Sequence, residues 1–299
     1  MKKLRIVVSL PNDNAYQHEQ GVVAKSAGQH IGLDMQVMQA NDDSIAQSHQ
    51  LLEIIHSPPE TRPDAFLVEP VTTTGLRRVA QTAIAAGIAW VIINSDVDYI
   101  RELRTNSRVP VFIVTQGQYE IGRLQGLQLA ALLPRGGSVL FVKGPTMGAI
   151  AAKRFEGMES TKPGNVQLAT LRSPWSREGA FKSANAWLRL ETSRADKFDL
   201  VAGQSHELVL GARKAFEDMQ NSEQKKKWLE LPFIAVGISN QVKPLVDGRV
   251  LAAAVVTSVT TELALKLLVR AIESHVQPPE RSIVEMSSYP TLEKLTPKP

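Results

Sequence analysis

Leu4-Arg5-Ile6-Val7-Val8-Ser9-Leu10 runs straight into Pro11-Asn12-Asp13-Asn14, and past that turn Val23, Ala27 and Ile31 recur at four-residue spacing. An apolar run, a polar turn and an amphipathic repeat read as strand, turn and helix. The same module returns along the whole chain. Further strands are predicted at 34–38, 65–68, 89–93, 111–114, 138–142, 166–171, 199–202, 233–236, 251–256 and 282–285. Most are continuous apolar runs without alternation, the pattern of strands covered on both faces of a parallel sheet. Ile45, Leu52 and Ile55 share one helical face between them, and Leu263, Leu267 and Ala271 another, with Leu268 and Ile272 alongside. Strand followed by helix, repeated, predicts right-handed βαβ units and a doubly wound α/β fold. In such sheets ligands bind beyond the carboxyl ends of the strands, so the turns after the strands are where a site is expected.

So many strands exceed one comfortable sheet in 299 residues, since single cores stop growing near roughly 250–300 residues. Two similar lobes are expected, with a first break near Val111–Gln116 and another crossing near the Pro-rich stretch Gln277–Glu280. Asn221–Leu231, rich in Lys and Glu, reads as an excursion in the second lobe. Its Lys225-Lys226-Lys227 run reads as a solvated loop or helix end.

Composition excludes several classes. Hydrophobic content is 43%, charged content 21% and net charge +4, ordinary for a globular protein. No apolar run approaches the roughly 20 residues that span a bilayer, so no membrane insertion is expected. The basic residues are not interleaved with aromatics, which argues against a nucleic-acid partner. The absence of cysteine rules out disulfides, thiolate metal sites and cysteine nucleophiles. Met1-Lys2-Lys3 opens like a leader, but its apolar run is short, ends at Pro11 and lacks a small-residue cleavage site. The chain as it stands therefore reads as cytosolic or as one whose leader has been removed.

The chemical motifs are few. Gly117 to Gly122-Arg123 has the glycine spacing of a phosphate loop but lacks its Lys and Ser/Thr, and no Gly-x-Gly-x-x-Gly follows a strand. Of the six histidines, none pair at metal-ligand spacing on one helix. No metal and no cofactor are expected. Ser205-His206-Glu207 has the letters of a triad, but adjacent helical residues do not face one another. His206 stands in a post-strand turn, where it lines a cleft or faces solvent. Arg154 follows Gly144-Pro145-Thr146-Met147-Gly148 among the small residues Ala151, Ala152 and Gly157. Its guanidinium suits vicinal hydroxyls or a carboxylate, against the alternative of a salt bridge to Glu156. Trp175, in the turn Ser173-Pro174-Trp175-Ser176, is either a stacking platform or a cap on the core.

Taken in order, Asn12-Asp13-Asn14-Ala15-Tyr16, Asp64 to Glu69-Pro70, Ala86-Gly87-Ile88 before Asn94, Ile121-Gly122-Arg123, Ala151 to Gly157, Leu210-Gly211-Ala212 and Asp247-Gly248-Arg249 with Ala253-Ala254-Val255 form a pattern over nearly the whole chain. In that pattern the chain resembles the ribose-type (type I) periplasmic sugar-binding proteins, which share their fold with the effector domains of LacI-type repressors. The resemblance implies two doubly wound parallel-sheet lobes joined by three crossover strands, residues 1–112 plus 252–277 and residues 113–251 plus 278–299. It also implies a monomer without catalysis. A small ligand, usually a sugar, is captured by hinge closure in an interlobe cleft and read out by an ABC transporter permease or a signalling partner. A periplasmic location follows from the same resemblance.

Carried over by position, the resemblance places Asn14, Tyr16, Asn94 and Ser95 in the cleft from the first lobe. From the second it places Gln118, Arg154, Trp175, Ser205, His206 and Ser239, with Thr257 near the last crossing. Arg154 and Trp175 keep the family's residue types. Elsewhere Ser205-His206 replaces an Asn-Asp pair, Ser239 and Asn94 each replace an Asp, Gly117 replaces an Asp, and Thr257 replaces a Gln. Because a carboxylate accepts two strong hydrogen bonds where Ser offers one weaker contact, the expected ligand is bulkier than a simple sugar or anionic. Two other readings remain open: a cytosolic effector protein without its own DNA-binding domain, and an α/β hydrolase.

Overall fold

The computed structural model describes residues 3–105, 107–145, 149–190 and 193–297. In chain order the regular elements begin with β1 Arg5–Leu10, α1 Ala15–His30, β2 Asp34–Gln39, α2 Ser44–His56, β3 Ala65–Val68, α3 Arg77–Ala85, β4 Ala89–Ile93, α4 Ile100–Thr105 and β5 Val111–Thr115. They continue with α5 Gln118–Leu132, β6 Gly137–Lys143, α6 Ala149–Thr161, β7 Val166–Arg172, α7 Arg177–Trp187, β8 Leu200–Gly203, α8 His206–Glu217, α9 Ser222–Glu230 and β9 Phe233–Ile238. The chain closes with α10 Ser239–Asp247, β10 Ala253–Thr257, α11 Thr261–Ser274, β11 Arg281–Ile283 and β12 Met286–Tyr289. The alternation of strand and helix is the α/β module that the sequence predicts.

Two compact units result. The first comprises Met1–Gln116 with Val259–Val284, the second Gly117–Ser258 with Glu285–Pro299. The first sheet has the order β2-β1-β3-β4-β5-β11 and the second β7-β6-β8-β9-β10-β12. Every pairing is parallel except β10 with β12. Over their first five strands the two units therefore repeat one topology, in which β3 and β8 hold equivalent places, while the sixth strand is parallel in the first unit and antiparallel in the second.

Three of the expected unit boundaries are corrected. The resemblance assigned 252–277 to the first lobe and 278–299 to the second, but β10 pairs with β9 in the second unit and β11 with β5 in the first. The chain changes units after the strand in both cases, not before it. An apolar run such as Ala253–Val256 fits the centre of either sheet, so its composition carries no sign of which one it joins. The first break likewise falls after Gln116 rather than at 112.

Burial explains why the strands read as continuous apolar runs. On one face of the first sheet Val7, Phe66, Val68, Trp90, Ile92, Val111 and Ile113 enter one cluster. On the other, Ile6, Val8, Leu67, Val91, Ile93, Phe112 and Val114 enter a second. Burying a side chain of this size is worth about 1.5–3 kcal/mol, which is what selects the parallel sheet over an exposed one. In the second sheet Leu140, Val142, Val201, Ala235 and Ala254 lie on one face, and Val139, Phe141, Leu200, Ala202 and Ile234 on the other.

Several helices turn a different face inward from the one their aliphatic spacing suggests. On α1 the buried residues are Gln17, Gln20, Gly21, Ala24 and Gly28, while Ile31 is exposed. On α2 they are Gln47, Leu51 and Ile55, while Ile45 is exposed. Buried amides in both helices point to polar work at this end of the first sheet. The lysine run lies inside α9, with Lys227 paired to Glu223 and Lys226 to Glu230, and Trp228 of the same helix is stacked on Phe216 at 4.4 Å between centroids.

Candidate functional site

In the first unit, the turns following the strands carry Asn14, Tyr16, Asn94 and Ser95. Asn14 is the N-cap of α1, where its Oδ1 accepts from the backbone N–H of Tyr16 at 3.0 Å and of Gln17 at 3.1 Å. Its carboxamide oxygen is thereby occupied, leaving the NH2 end as its offer to a ligand. Tyr16, half-buried, stands in the first turn of the same helix. Asn94 directly follows β4 with φ of 54°, the left-handed region where Asn is among the few side chains tolerated. It is buried, and its Nδ2 donates to Glu69 Oε1 at 3.0 Å. Half-buried Ser95 is next in the chain.

Glu69 is the residue that sequence reasoning passed over in this unit. It directly follows β3, is 4% exposed, and has its backbone carbonyl bonded by Gln47 Nε2 at 2.9 Å. The same Nε2 reaches Ser9 Oγ at 3.1 Å. Burial pushes the Glu69 carboxyl up to about 7, against the opposing hydrogen bonds of Asn94, Gln17 and Gln20. Its one signal in the sequence is an acid closing an apolar run, just before Pro70.

The second unit gathers three of the expected residues by direct contact. Arg154 Nε donates to Gln118 Oε1 at 2.7 Å, and its Nη1 donates to the carbonyl of Gln204 at 2.5 Å. Its guanidinium carbon lies 5.8 Å from the Trp175 ring centroid. Glu156 is instead paired with Lys153 at 2.8 Å, so the expected alternative of an Arg154–Glu156 bridge gives way to neutral acceptors. Trp175 is half-buried and leans on the core, and a Cβ at Gly144 would fall 2.4 Å from its ring. The indole thus fits only because Gly144 has no side chain. Of the loop before α6, Thr146, Met147 and Gly148 lie outside the described residues.

Gln204, which sequence reasoning also missed, is fully buried and organises this corner. Its Oε1 accepts from Gly144 N–H at 3.0 Å and its Nε2 donates to the Ala151 carbonyl at 2.8 Å. It ties the end of β8 to the end of β6 and the start of α6, the helix that carries Arg154. That helix is held close to α5 by paired glycines. A Cβ at Gly122 would stand 2.0 Å from the Arg154 carbonyl oxygen, and one at Gly157 1.9 Å from that of Tyr119. Only this approach lets Gln118 of α5 reach Arg154 of α6.

Ser205 is the N-cap of α8, its Oγ accepting from Leu208 N–H at 3.3 Å. His206 follows, 9% exposed, with Nε2 3.2 Å from Glu207 Oε1. The expectation that these neighbours do not face one another is therefore corrected: the imidazole bends back to the adjacent carboxylate. Glu207 also takes a two-pronged bond from Arg177 at 2.8 and 3.1 Å. The His206 contact, then Arg177, lowers its carboxyl to about 2. His206 Nδ1 has no partner among the described residues and abuts Gly237. Half-buried Ser239 opens α10, and buried Thr257 ends β10 opposite Ile238. Among the described residues no three His, Asp or Glu side chains are grouped to hold a metal ion.

Three comparisons extend this description. A family model described as "Periplasmic binding protein domain" matches residues 6–274. No curated protein matches the chain in sequence. Among solved structures, the chain is similar to an ABC transporter periplasmic solute-binding protein from Actinobacillus succinogenes with bound D-allose. That likeness has a TM-score of 0.78 and 16% identity, covering 96% of this chain and 97% of that one. It is similar to the binding protein of the arabinose ABC transporter from Shewanella bound to L-arabinofuranose, at TM-score 0.75 and 15% identity over 97% and 93%. It is also similar to a fructose-binding periplasmic domain of a hybrid two-component system, at TM-score 0.74 and 17% identity over 95% and 90%. These likenesses confirm the fold in both units.

Proposed function

The chain belongs to the periplasmic binding protein domain family and is a solute-binding protein; from that premise we propose that its solute is a neutral polyhydroxylated molecule of sugar size. The observation that carries this reading is the Arg154 guanidinium, oriented by the neutral acceptors Gln118 and Gln204 beside the Trp175 indole. A sugar offers apolar C–H faces to an indole and hydroxyl oxygens to a planar donor. The solved relatives named above are described with D-allose, L-arabinofuranose and fructose, which supports a ligand of that class here.

Glu69 redirects the expectation of an anionic ligand. That expectation came from the loss of Asp at several positions, and Glu69 returns a carboxyl to the strand ends of the first unit, bonded to Asn94. An acid there disfavours an anion and suits hydroxyl donors. The proposed ligand residues of the first unit are Asn14, Tyr16, Asn94 and Ser95. Those of the second are Gln118, Arg154, Trp175, Ser205, His206, Ser239 and Thr257. The protein acts without a chemical step, as a periplasmic monomer read by an ABC permease. Signalling is the second reading, favoured by the likeness to a binding domain of a two-component system.

A thermal-shift panel of neutral pentoses, hexoses and inositol, set against sugar acids and sugar phosphates, tests the ligand class. Stabilisation by a neutral member supports it, and stabilisation by anionic members alone overturns it.

A further inference from the structure

The two units repeat one topology, and this allows equivalent positions to be compared. Glu69 directly follows β3 and Gln204 directly follows β8, strands with the same place in their sheets. Both side chains are buried, at 4% and 0% exposure. Gln204 is a neutral amide with oxygen and nitrogen both bonded. Glu69 Oε1 accepts from Asn94 and the amides of Gln17 and Gln20 also face the carboxyl, while Oε2 has no partner within hydrogen-bond geometry among the described residues. An amide like Gln204 would fill this place without charge. A buried carboxyl with an unserved oxygen is instead costly, which calls for a use.

That use is visible in its bond to Asn94. Asn94 stands in the left-handed region at φ 54° and is buried, so its backbone and its amide must be held by their surroundings. The bond to Glu69 holds an N–H of that amide. We propose that Glu69 positions Asn94 for the ligand, and that ligand capture is thereby coupled to the charge on Glu69. The proposal rests on the solute-binding reading and on Asn94 as a ligand residue. An ionised acceptor holds an N–H roughly twice as strongly as a neutral one, so the ionised form is the pre-organised one. The groups facing Glu69 are Asn94 beyond β4 and Gln17 and Gln20 of α1, with Gln47 of α2 on its backbone carbonyl and Ser9 of β1 beneath Gln47. None of these carries a charge. Burial alone raises the carboxyl, to about 7, so the change of state falls within the neutral range.

The test has a ligand-free arm and a ligand arm. In the first, the Glu69 side-chain carboxyl and the Asn94 side-chain amide are followed by NMR from about pH 5 to about pH 9. The Asn94 amide resonances should move with the Glu69 midpoint, and the movement should vanish in Glu69→Gln. An Asn94 amide indifferent to pH overturns the proposal. In the second, D-allose, L-arabinose and D-fructose are titrated by calorimetry across the same range. For any that binds, affinity should tighten about fivefold as Glu69 ionises, and this gain should be absent in Glu69→Gln. Asn94→Gly, which keeps the left-handed backbone, should bind weakly and also lose the pH dependence while Glu69 still titrates. The same pH profile in wild type and Glu69→Gln, or weakening as pH rises, overturns the coupling. If none of the three sugars binds, the ligand class is decided by the thermal-shift panel and the positioning of Asn94 by the NMR arm.

Discussion

Arg154 and Trp175, both singled out in the sequence, lie with the guanidinium carbon 5.8 Å from the indole centroid. Each of Trp175→Ala and Arg154→Ala should weaken ligand binding by more than about 1 kcal/mol, the ordinary loss for a desolvated anchor, read by calorimetry. Unchanged affinity in both would remove the assigned site. Glu69 yields an expectation that needs no ligand. Its carboxyl stands at about 7 in the folded chain against an ordinary 4.5. The folded chain therefore holds more protons than the unfolded one between those values. Its contribution is fully present below about pH 4.5 and is lost as pH rises through about 7, a change of up to about 3 kcal/mol. Urea unfolding should show wild type losing stability over that interval relative to Glu69→Gln, and parallel profiles would contradict it. Arg154 and Trp175 were singled out because a long cation among small residues, and an indole in a post-strand turn, are out of place locally. Glu69 and Gln204 were not, since their roles come from partners 25 and 53 or more residues away, which no local pattern shows.

At the scale of elements, the apolar runs marked the parallel strands because burial on both faces leaves no other composition. β12, Met286–Tyr289, escaped because it is an antiparallel edge strand with polar Ser287 and Ser288 at its centre. Helix faces were less legible. On α1 the inward stripe is made of glycines, alanine and amides, so aliphatic spacing pointed elsewhere. The contact of α5 with α6 is the one on which the site depends. Replacing Gly157 by Ala sets a methyl group 1.9 Å from the Tyr119 carbonyl oxygen, and backbone cannot rotate away as a side chain would. Gly157→Ala should cost about 3 kcal/mol, at the upper end of overpacking, and should weaken ligand binding by shifting Arg154 from Gln118. Denaturant unfolding measures the first effect. A loss below about 0.5 kcal/mol would show that the two helices part freely.

At the scale of the molecule, the sequence predicted two doubly wound units and both are present. The bounds implied by the resemblance misplaced where the chain passes between them, because nothing in β10 or β11 marks which sheet it joins. The repeated topology is also what exposes the asymmetry between Glu69 and Gln204. A protein that binds its solute should register the ligand as stability, by about 2.7 kcal/mol at a hundred times Kd. The most direct measurement is thus the unfolding temperature of the intact chain against neutral sugars and inositol in parallel with sugar acids and phosphates. The account predicts that at least one neutral polyol raises it in a concentration-dependent way and that Trp175→Ala abolishes the rise. A rise with anionic members alone, or an equal rise in Trp175→Ala, would contradict it.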